Sequence, residues 1–145
     1  MKIIDFGNCC DINNIDCQIQ TRYYRAPEVI LEGPLDDKCD IWSLGCVLYE
    51  LVTGELLFDP SKTLRFNRDR NHLKNIIEMC GPVPTHLLSQ CKRYNYFFQK
   101  SGLLKGCYSL DQKSLSCEHK RLLSQMLCVD PTTRVSLSEL LSILT

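Results

Sequence analysis

The sequence lacks an excess of charge of either sign, because seventeen Lys and Arg residues balance seventeen Asp and Glu residues among 145. A chain without net charge has no overall field that attracts nucleic acid or an anionic membrane surface. Long apolar runs are also lacking, since the most apolar stretch, 41–52, is interrupted by Ser43 and Glu50 and is shorter than the ~20 residues that cross a bilayer. The opening residues, MKIIDFGN, lack the apolar segment of a signal peptide. These absences predict a cytoplasmic or nuclear protein that binds neither membrane nor nucleic acid directly.

Metal-binding cysteine patterns are absent as well. The chain has ten cysteines, but no two form a C-x-x-C pair and no histidine stands at zinc-finger spacing, so no structural metal is predicted. Without a secretory signal, a disulfide framework is not expected. Cys46, Cys80 and Cys128 fall inside apolar helical patterns, which predicts free thiols that pack as small hydrophobic side chains.

What the sequence does contain is mostly helical periodicity. The opening residues predict a short strand that ends at Gly7, a polar loop over 8–26 and a short helix with Pro27 in its first turn. Segment 40–54 is apolar on nearly every side, which predicts a helix at the centre of the core that ends at Gly54. Further helices are predicted at 70–81, at 118–129 and, after a Ser136–Glu139 capping box, at 137–144. The prediction is one mainly helical domain with a single strand at its start.

Four short motifs follow one another along the chain. Asp5-Phe6-Gly7 ends the predicted strand, and TRYYRAPEVILEG occupies 21–33. The central helix opens with DIWSLG from Asp40, and Asp130-Pro131 is followed by Arg134. In this order and spacing the motifs resemble those of a eukaryotic-type protein kinase domain, in which A-P-E closes the activation segment. The resemblance covers residues 1–145 and implies the protein kinase-like α+β fold, restricted to its C-terminal lobe.

The resemblance also implies roles for individual residues. Asp5, with Phe6 and Gly7, matches the motif that holds Mg²⁺ against the phosphates of ATP, since hard cations prefer carboxylate oxygens. Thr21 is expected to contact the catalytic aspartate and help to place the substrate hydroxyl, with an ordinary loop threonine as the alternative. Arg25 is expected to shape the pocket beside the phosphoacceptor.

Other residues are expected to be structural. By resemblance, Glu28 and Arg134 form a buried ion pair that fastens the activation segment, whereas solvated surface charges are the alternative. Trp42 belongs to the buried central helix. Asp40 is expected to be the N-cap of that helix, and by resemblance it also bonds the backbone of the catalytic loop.

Local sequence narrows the resemblance to one branch of the kinases. Arg25, two residues before the proline of A-P-E, is typical of the CMGC group, which holds cyclin-dependent, MAP, CDC-like and SR-protein kinases. The stretches 69–84 and 96–106 resemble SR-protein kinases. Residues 19–22 resemble both SR-protein kinases and dual-specificity tyrosine-regulated kinases. The latter carry an activating tyrosine where this chain has Gln18, which argues against them. The narrower resemblance implies protein substrates rich in Ser and Arg.

The sequence departs from that branch in three places. Phe6 stands where the branch has Leu, and Ala26-Pro27-Glu28 stands where it has Ser-Leu-Glu. Stretch 59–72 carries a net charge of +2, because four basic residues outnumber two acidic ones; these are Lys62, Arg65, Arg68 and Arg70 against Asp59 and Asp69. A basic surface repels an Arg-rich peptide instead of steering it.

Several kinase motifs do not occur in residues 1–145: the glycine loop G-x-G-x-x-G, the lysine motif V-A-I-K and the catalytic H-R-D. Phosphoryl transfer depends on positioning by all of these parts together. The resemblance therefore implies a serine/threonine kinase that uses ATP and Mg²⁺ in its complete domain. Residues 1–145 alone, a partial kinase domain, are expected neither to catalyse transfer nor to bind nucleotide well. A non-catalytic, pseudokinase-like binding module or remnant is the alternative.

Overall fold

The structure is a computed structural model that describes residues 9, 11, 19–61, 67–106 and 119–144. A 3-10 turn, Arg22–Tyr24, precedes the α-helices, which in chain order are α1 (Pro27–Leu31), α2 (Lys38–Thr53), α3 (Arg68–Cys80), α4 (Thr85–Leu88), α5 (Tyr94–Phe97), α6 (Lys120–Met126) and α7 (Leu137–Leu144). Extended pairing within the described residues consists of one bridge between Phe98 and Leu104. The architecture is mainly helical, as predicted. The predicted strand, with Asp5, Phe6 and Gly7, lies outside the described residues.

Helix α2 lies at the centre of the core. Cys39, Trp42 and Cys46 are buried on one side of it. A Cβ added at Gly45 would lie 3.1 Å from Leu127 Cδ2 and from Met126 Cβ, so the missing side chain lets the end of α6 approach α2 closely. Other apolar side chains of α2, at Leu44, Leu51 and Val52, are exposed. The prediction of burial on every side is therefore wrong at these positions.

The bounds of α2, α3 and α6 differ from the predicted ones by one to three residues, for local reasons. Helix α2 begins at Lys38, not at Asp40, because the Asp36 carboxylate accepts a hydrogen bond from the Lys38 amide and turns the chain earlier. Asp37 takes the N-cap position, and Asp40 lies exposed in the first turn. The prediction that Asp40 caps this helix is wrong. Gly54 does end it, in the left-handed conformation with φ 75°.

The other long helices follow the same logic. Helix α3 begins two residues early because the Asn67 side chain accepts a hydrogen bond from the Arg70 amide. Helix α6 is shorter than predicted, and the chain after it forms turns. Helix α7 has its predicted bounds. The predicted capping box precedes it, because Ser136 Oγ donates to the Glu139 carboxylate and accepts from the Glu139 amide.

The cysteines in the described residues are free thiols. Cys46 is buried as predicted, whereas Cys80 and Cys128 are only half-buried. Burial raises the pKa of Cys39 and of Cys80 to about 12, so these thiols stay protonated at neutral pH and are poor nucleophiles. Among the described residues, no helix has the length and apolar character needed to cross a membrane.

Candidate functional site

Residues 20–33, called the anchored segment below, hold most of the predicted site residues. Its 3-10 turn closes through hydrogen bonds from the Tyr24 amide to Thr21 O (3.0 Å) and from the Arg25 amide to Arg22 O (3.3 Å). The turn is fastened to α2 because Ser43 Oγ donates to Tyr24 O at 2.9 Å. Tyr24 Oη in turn donates to the Glu50 carboxylate at 2.7 Å, a bond that raises the pKa of Tyr24 above its ordinary value.

Gln20 begins the anchored segment and braces it from inside. Its backbone has φ 66°, in the left-handed region. Its amide nitrogen donates to Cys39 O at 2.8 Å, and its amide oxygen accepts from the Ala26 amide at 2.9 Å. Its carbonyl accepts from Arg25 Nη2 at 2.8 Å. Gln20 therefore connects both sides of the turn to α2. The sequence contained no local signal for this role, since the left-handed backbone and both partners are set by the tertiary fold.

Thr21 and Arg25 flank this braced turn at its start and its end. Thr21 is exposed, and its hydroxyl does not cap the turn. The Arg25 guanidinium is half-buried against Gln20, and burial lowers its pKa from the usual high value, with the Arg22 charge adding to the effect. Arginine nevertheless stays charged at neutral pH. The turn therefore carries an exposed hydroxyl at its start and a half-buried cation at its end. Their predicted contacts with substrate stay predictions.

Glu28 and Arg134 are brought together in the core, and we call this pair the rear anchor. Arg134 Nη1 donates to Glu28 Oε1 at 2.6 Å, and Nη2 donates to Oε2 at 2.9 Å. Both side chains are fully buried. Two further N–H groups of the guanidinium are used as well, because Nε donates to Cys128 O and Nη1 also donates to Lys38 O. A bidentate pair supported by such added bonds is the geometry in which a buried charge is tolerated.

The Asp130 turn aims Arg134 at its partner. The Asp130 carbonyl accepts from the Arg134 amide at 3.0 Å, and its carboxylate accepts from the Thr132 amide and hydroxyl. His86 Nε2 lies 3.1 Å from the same carboxylate. Burial alone would raise the pKa of Asp130, but the bonds from Thr132 and His86 outweigh it and lower the pKa below its ordinary value. The carboxylate therefore stays ionised and keeps the turn closed.

Trp42 supports the rear anchor from below. The Arg134 guanidinium lies 5.2 Å above its ring centroid, a favourable placement of a cation on an aromatic face. Trp42 stacks on Phe58 at 5.9 Å, and Phe58 contacts His72 at 5.5 Å, centroid to centroid. Burial lowers the pKa of His72 to about 4, so this imidazole is neutral and acts as a packing group.

The described part of stretch 59–72 has less excess positive charge than the whole stretch has in the sequence. Lys62 and Arg65 lie outside the described residues. Among the described members, Arg68 and Arg70 are matched in number by two aspartates, and Asp69 pairs with Arg22 of the anchored segment at 2.5 Å.

A metal site cannot be built from the described residues, in which no group of three His, Cys, Asp or Glu side chains could hold an ion. The Mg²⁺ prediction depends on Asp5, outside that part of the chain. What the described residues do provide is a segment fastened to the core, with Thr21 exposed at the start of its turn.

Comparisons with known proteins agree with this geometry. A family model described as the protein kinase domain matches residues 1–143. The serine/threonine-protein kinase SKY1 of Saccharomyces cerevisiae is 36% identical over 149 residues, which cover 92% of this chain and 20% of that protein. The serine/threonine-protein kinase spk-1 of Caenorhabditis elegans is 39% identical over 116 residues, 79% of this chain and 12% of that protein. The serine/threonine-protein kinase SRPK of Physarum polycephalum is 38% identical over 106 residues, 72% of this chain and 25% of that protein.

The chain spans a quarter or less of these relatives. The predicted resemblance and the predicted fold class are both confirmed by the family match, which extends over nearly all of the sequence. With its motifs in order and its anchored segment fastened by the rear anchor, the chain belongs to the protein kinase family.

Proposed function

We propose that this chain forms the C-terminal part of the catalytic domain of a serine/threonine protein kinase. In the complete domain, the enzyme transfers the γ-phosphoryl group of ATP to a Ser or Thr hydroxyl of a protein substrate. Support comes from the three relatives above, whose names all state serine/threonine-protein kinase. The motifs of residues 21–33 and 130–134 support the same function.

The observation that carries this proposal is the anchoring of residues 20–33. Gln20 braces the start of the segment, and the rear anchor holds its second half. Thr21 is exposed at the start of the turn that these contacts fasten, and Arg25 stands at its end. A kinase needs such preorganisation, because the rate of transfer depends on how well the substrate hydroxyl is aligned with the phosphoryl group.

Protein kinases use ATP together with Mg²⁺, which neutralises charge on the phosphates. We propose Asp5, with Phe6 and Gly7, as this chain's contribution to that metal site. The described residues have a separate task, which is to hold the substrate peptide. In this proposal Thr21 contacts the catalytic aspartate of the complete domain, and Arg25 borders the pocket of the residue next to the phosphoacceptor.

We propose proteins rich in Ser and Arg as the substrates. We propose the cytoplasm or the nucleus as the place where the kinase phosphorylates them. The support is the resemblance of stretches 69–84 and 96–106 to SR-protein kinases. The charge argument against such substrates is weaker among the described residues, because Asp69 and Asp59 balance the charges of Arg68 and Arg70 in number.

The test is phosphoryl transfer from radiolabelled ATP by the natural protein that contains this chain. The substrates are three serine peptides, one with Arg-Ser repeats, one acidic and one neutral. Thr21→Ala is expected to lower kcat/KM by about 100-fold through loss of alignment. Thr85→Ala removes an exposed threonine away from the segment and is expected to change kcat/KM less than about 2-fold.

The outcomes separate the parts of the proposal. Absence of transfer to all three peptides would exclude the kinase function. Transfer that avoids the Arg-Ser peptide would keep the kinase function and overturn the substrate class. Residues 1–145 alone are expected to show no Mg²⁺-dependent transfer above an Asp5→Ala control, because the glycine loop and the H-R-D motif are not among them.

A binding module without catalysis is the second candidate. The exposed apolar side chains of α2, at Leu44, Leu51 and Val52, favour it, since surfaces of this kind often contact other proteins. Such a module would retain a substrate peptide in a pull-down but give no transfer in the assay above.

A further inference from the structure

Arg93, between α4 and α5, is joined to the anchored segment by its backbone and its side chain. Its amide donates to Leu31 O at 3.1 Å. Its Nη1 donates to Ile30 O at 3.0 Å. These carbonyls belong to the last turn of α1, where helix carbonyls have no partner within the helix. Arg93 therefore satisfies the end of α1 with a cation, which the helix dipole also favours.

The same guanidinium reaches the start of the segment through one aspartate. Arg93 Nη1 and Nη2 donate to Asp69 Oδ2 at 3.1 and 3.2 Å. The other oxygen, Asp69 Oδ1, accepts from Arg22 Nη1 at 2.5 Å. Each carboxylate oxygen is thus bound to a different arginine. We call Arg22, Asp69 and Arg93 the front anchor.

Packing fixes where the Arg93 guanidinium can lie. It stacks 4.6 Å above the ring centroid of Phe97, which is fully buried, and 5.4 Å from that of Tyr96. A guanidinium pressed on aromatic rings has little freedom to swing away from its partners. A lysine could not donate to Ile30 O and Asp69 with the same planar geometry.

The charges around Asp69 favour this arrangement over a free carboxylate. Burial alone would raise the pKa of Asp69, but the hydrogen bonds from Arg22 and Arg93 outweigh it and lower the pKa. Glu32 lies 3.7 Å from Arg93 Nε and adds a weaker ion pair at the rim. At neutral pH the aspartate is ionised and accepts hydrogen bonds from both arginines. Loss of the Arg93 donors therefore changes how Asp69 holds Arg22.

We propose that Arg93 is a positioning residue for substrate binding, which sets the 3-10 turn of residues 22–24 and its neighbours Thr21 and Arg25 through Asp69 and Arg22. The inference rests on the proposed kinase function for its effect on substrate, but its structural part does not. Arg93 touches no substrate in this proposal. Its role is to hold the turn in one place, whereas the rear anchor holds α1 through Glu28.

The structural arm measures amide hydrogen exchange in the 145-residue chain. Arg93→Met keeps the length of the side chain and its contact with Phe97 but removes its donors. The Tyr24 and Arg25 amides, which close the turn, are expected to exchange about 10-fold faster. The Leu127 amide, bonded to Leu123 O at 2.8 Å, serves as the internal reference and is expected to stay unchanged. Lys92→Met, an exposed neighbour, is the charge-matched control.

The kinetic arm uses the natural protein with its preferred peptide. Arg93→Met is expected to raise KM for the peptide about 5- to 10-fold and to lower kcat as well, because a displaced turn weakens peptide binding and also the alignment that depends on Thr21. Asp69→Asn is expected to give the same change. Adding Arg93→Met to Asp69→Asn is expected to change KM little further, since both act through one contact. A purely structural role would lower the amount of folded enzyme and leave KM unchanged.

The two arms fail separately. If the wild-type protein transfers no phosphoryl group, the kinase proposal fails and the exchange arm still decides the positioning. If Tyr24 and Arg25 exchange at the wild-type rate in Arg93→Met, the inference is overturned whatever the activity. Should Arg93→Met not fold, Arg22→Met removes the link from the other end and is expected to give the same exchange and KM changes.

Discussion

The anchored segment is held at two places by ionic contacts that differ in their surroundings. In the rear anchor, Glu28 and Arg134 both have 0% exposed side chains, and every part of the contact is dry. In the front anchor, Arg22, Asp69 and Arg93 keep 29%, 19% and 24% exposure. Water can therefore replace some of the bonds in front but none behind.

This difference in exposure indicates that the two anchors have different roles. A buried charge that loses its partner is not stabilised by solvent. Breaking the rear anchor is therefore strongly unfavourable. A partly exposed pair is screened and contributes much less. We infer that the rear anchor decides whether the segment is attached to the domain and that the front anchor adjusts where its turn lies.

Breaking the rear anchor is expected to have the largest effect. Arg134→Ala leaves the Glu28 carboxylate buried without a cation and is expected to lower the free energy of unfolding by about 3–5 kcal/mol. Urea denaturation followed by circular dichroism measures the change. Arg121→Ala, an exposed arginine on α6, is expected to shift it by less than about 0.5 kcal/mol.

A paired substitution separates charge from packing at the same place. Glu28→Leu with Arg134→Met removes both charges and keeps apolar volume, so it is expected to be more stable than either single variant. An unchanged urea midpoint in Arg134→Ala would contradict the importance given to the pair. A double variant no better than the single ones would show that the other Arg134 bonds carry the stability.

A smaller effect is expected where the segment passes close to residue 91. A Cβ added at Gly33 would lie 2.7 Å from Cys91 Sγ, closer than atoms can pack. Gly33→Ala is therefore expected to cost about 1–3 kcal/mol through overpacking. Adding Cys91→Ala removes the sulfur and is expected to restore most of the loss in the same denaturation experiment. Failure of this second change to restore stability would mean that the backbone, not the sulfur, is the obstacle.

The smallest effect is expected in the front anchor. Asp69→Asn is expected to lower the free energy of unfolding by about 1 kcal/mol or less, because solvent screens the partly exposed bonds. The pKa of Asp69 is lowered by folding, so its contribution is fully present above the unfolded pKa of about 3.9 and is lost as the pH falls through the lower folded value. The stability difference between wild type and Asp69→Asn should be constant from pH 5 to 8 and shrink below about pH 4. A difference that grows on acidification would contradict this assignment.

The sequence predicted the rear anchor but not the front one, and the reason is physical. Glu28 and Arg134 each stand in a recognisable motif, so their pairing could be expected across 106 positions. Asp69 and Arg93 stand in no motif, and their contact exists only because α3 and the 91–93 turn are packed against α1. Gln20 was missed for the same reason.

The helices themselves were predicted well where a cap was local. The capping box of Ser136 and Glu139 correctly predicted the start of α7, and Gly54 correctly predicted the end of α2. The errors lay at the first residues of helices. Helix α2 begins at Lys38, before the expected cap at Asp40, because the Asp36 carboxylate accepts a hydrogen bond from the Lys38 amide. Asn67 was a readable signal for α3, since an asparagine before a charged turn is a common N-cap.

The stacking beneath the rear anchor has a practical consequence for anyone following this protein in solution. Trp42 is the single tryptophan of the chain, and its buried indole lies directly under the Arg134 guanidinium. Its fluorescence therefore reports on one place only. The emission should be blue-shifted while the rear anchor is intact and should move to longer wavelength when water reaches the indole. Trp42 fluorescence is therefore a built-in probe of whether the anchored segment is attached to the domain.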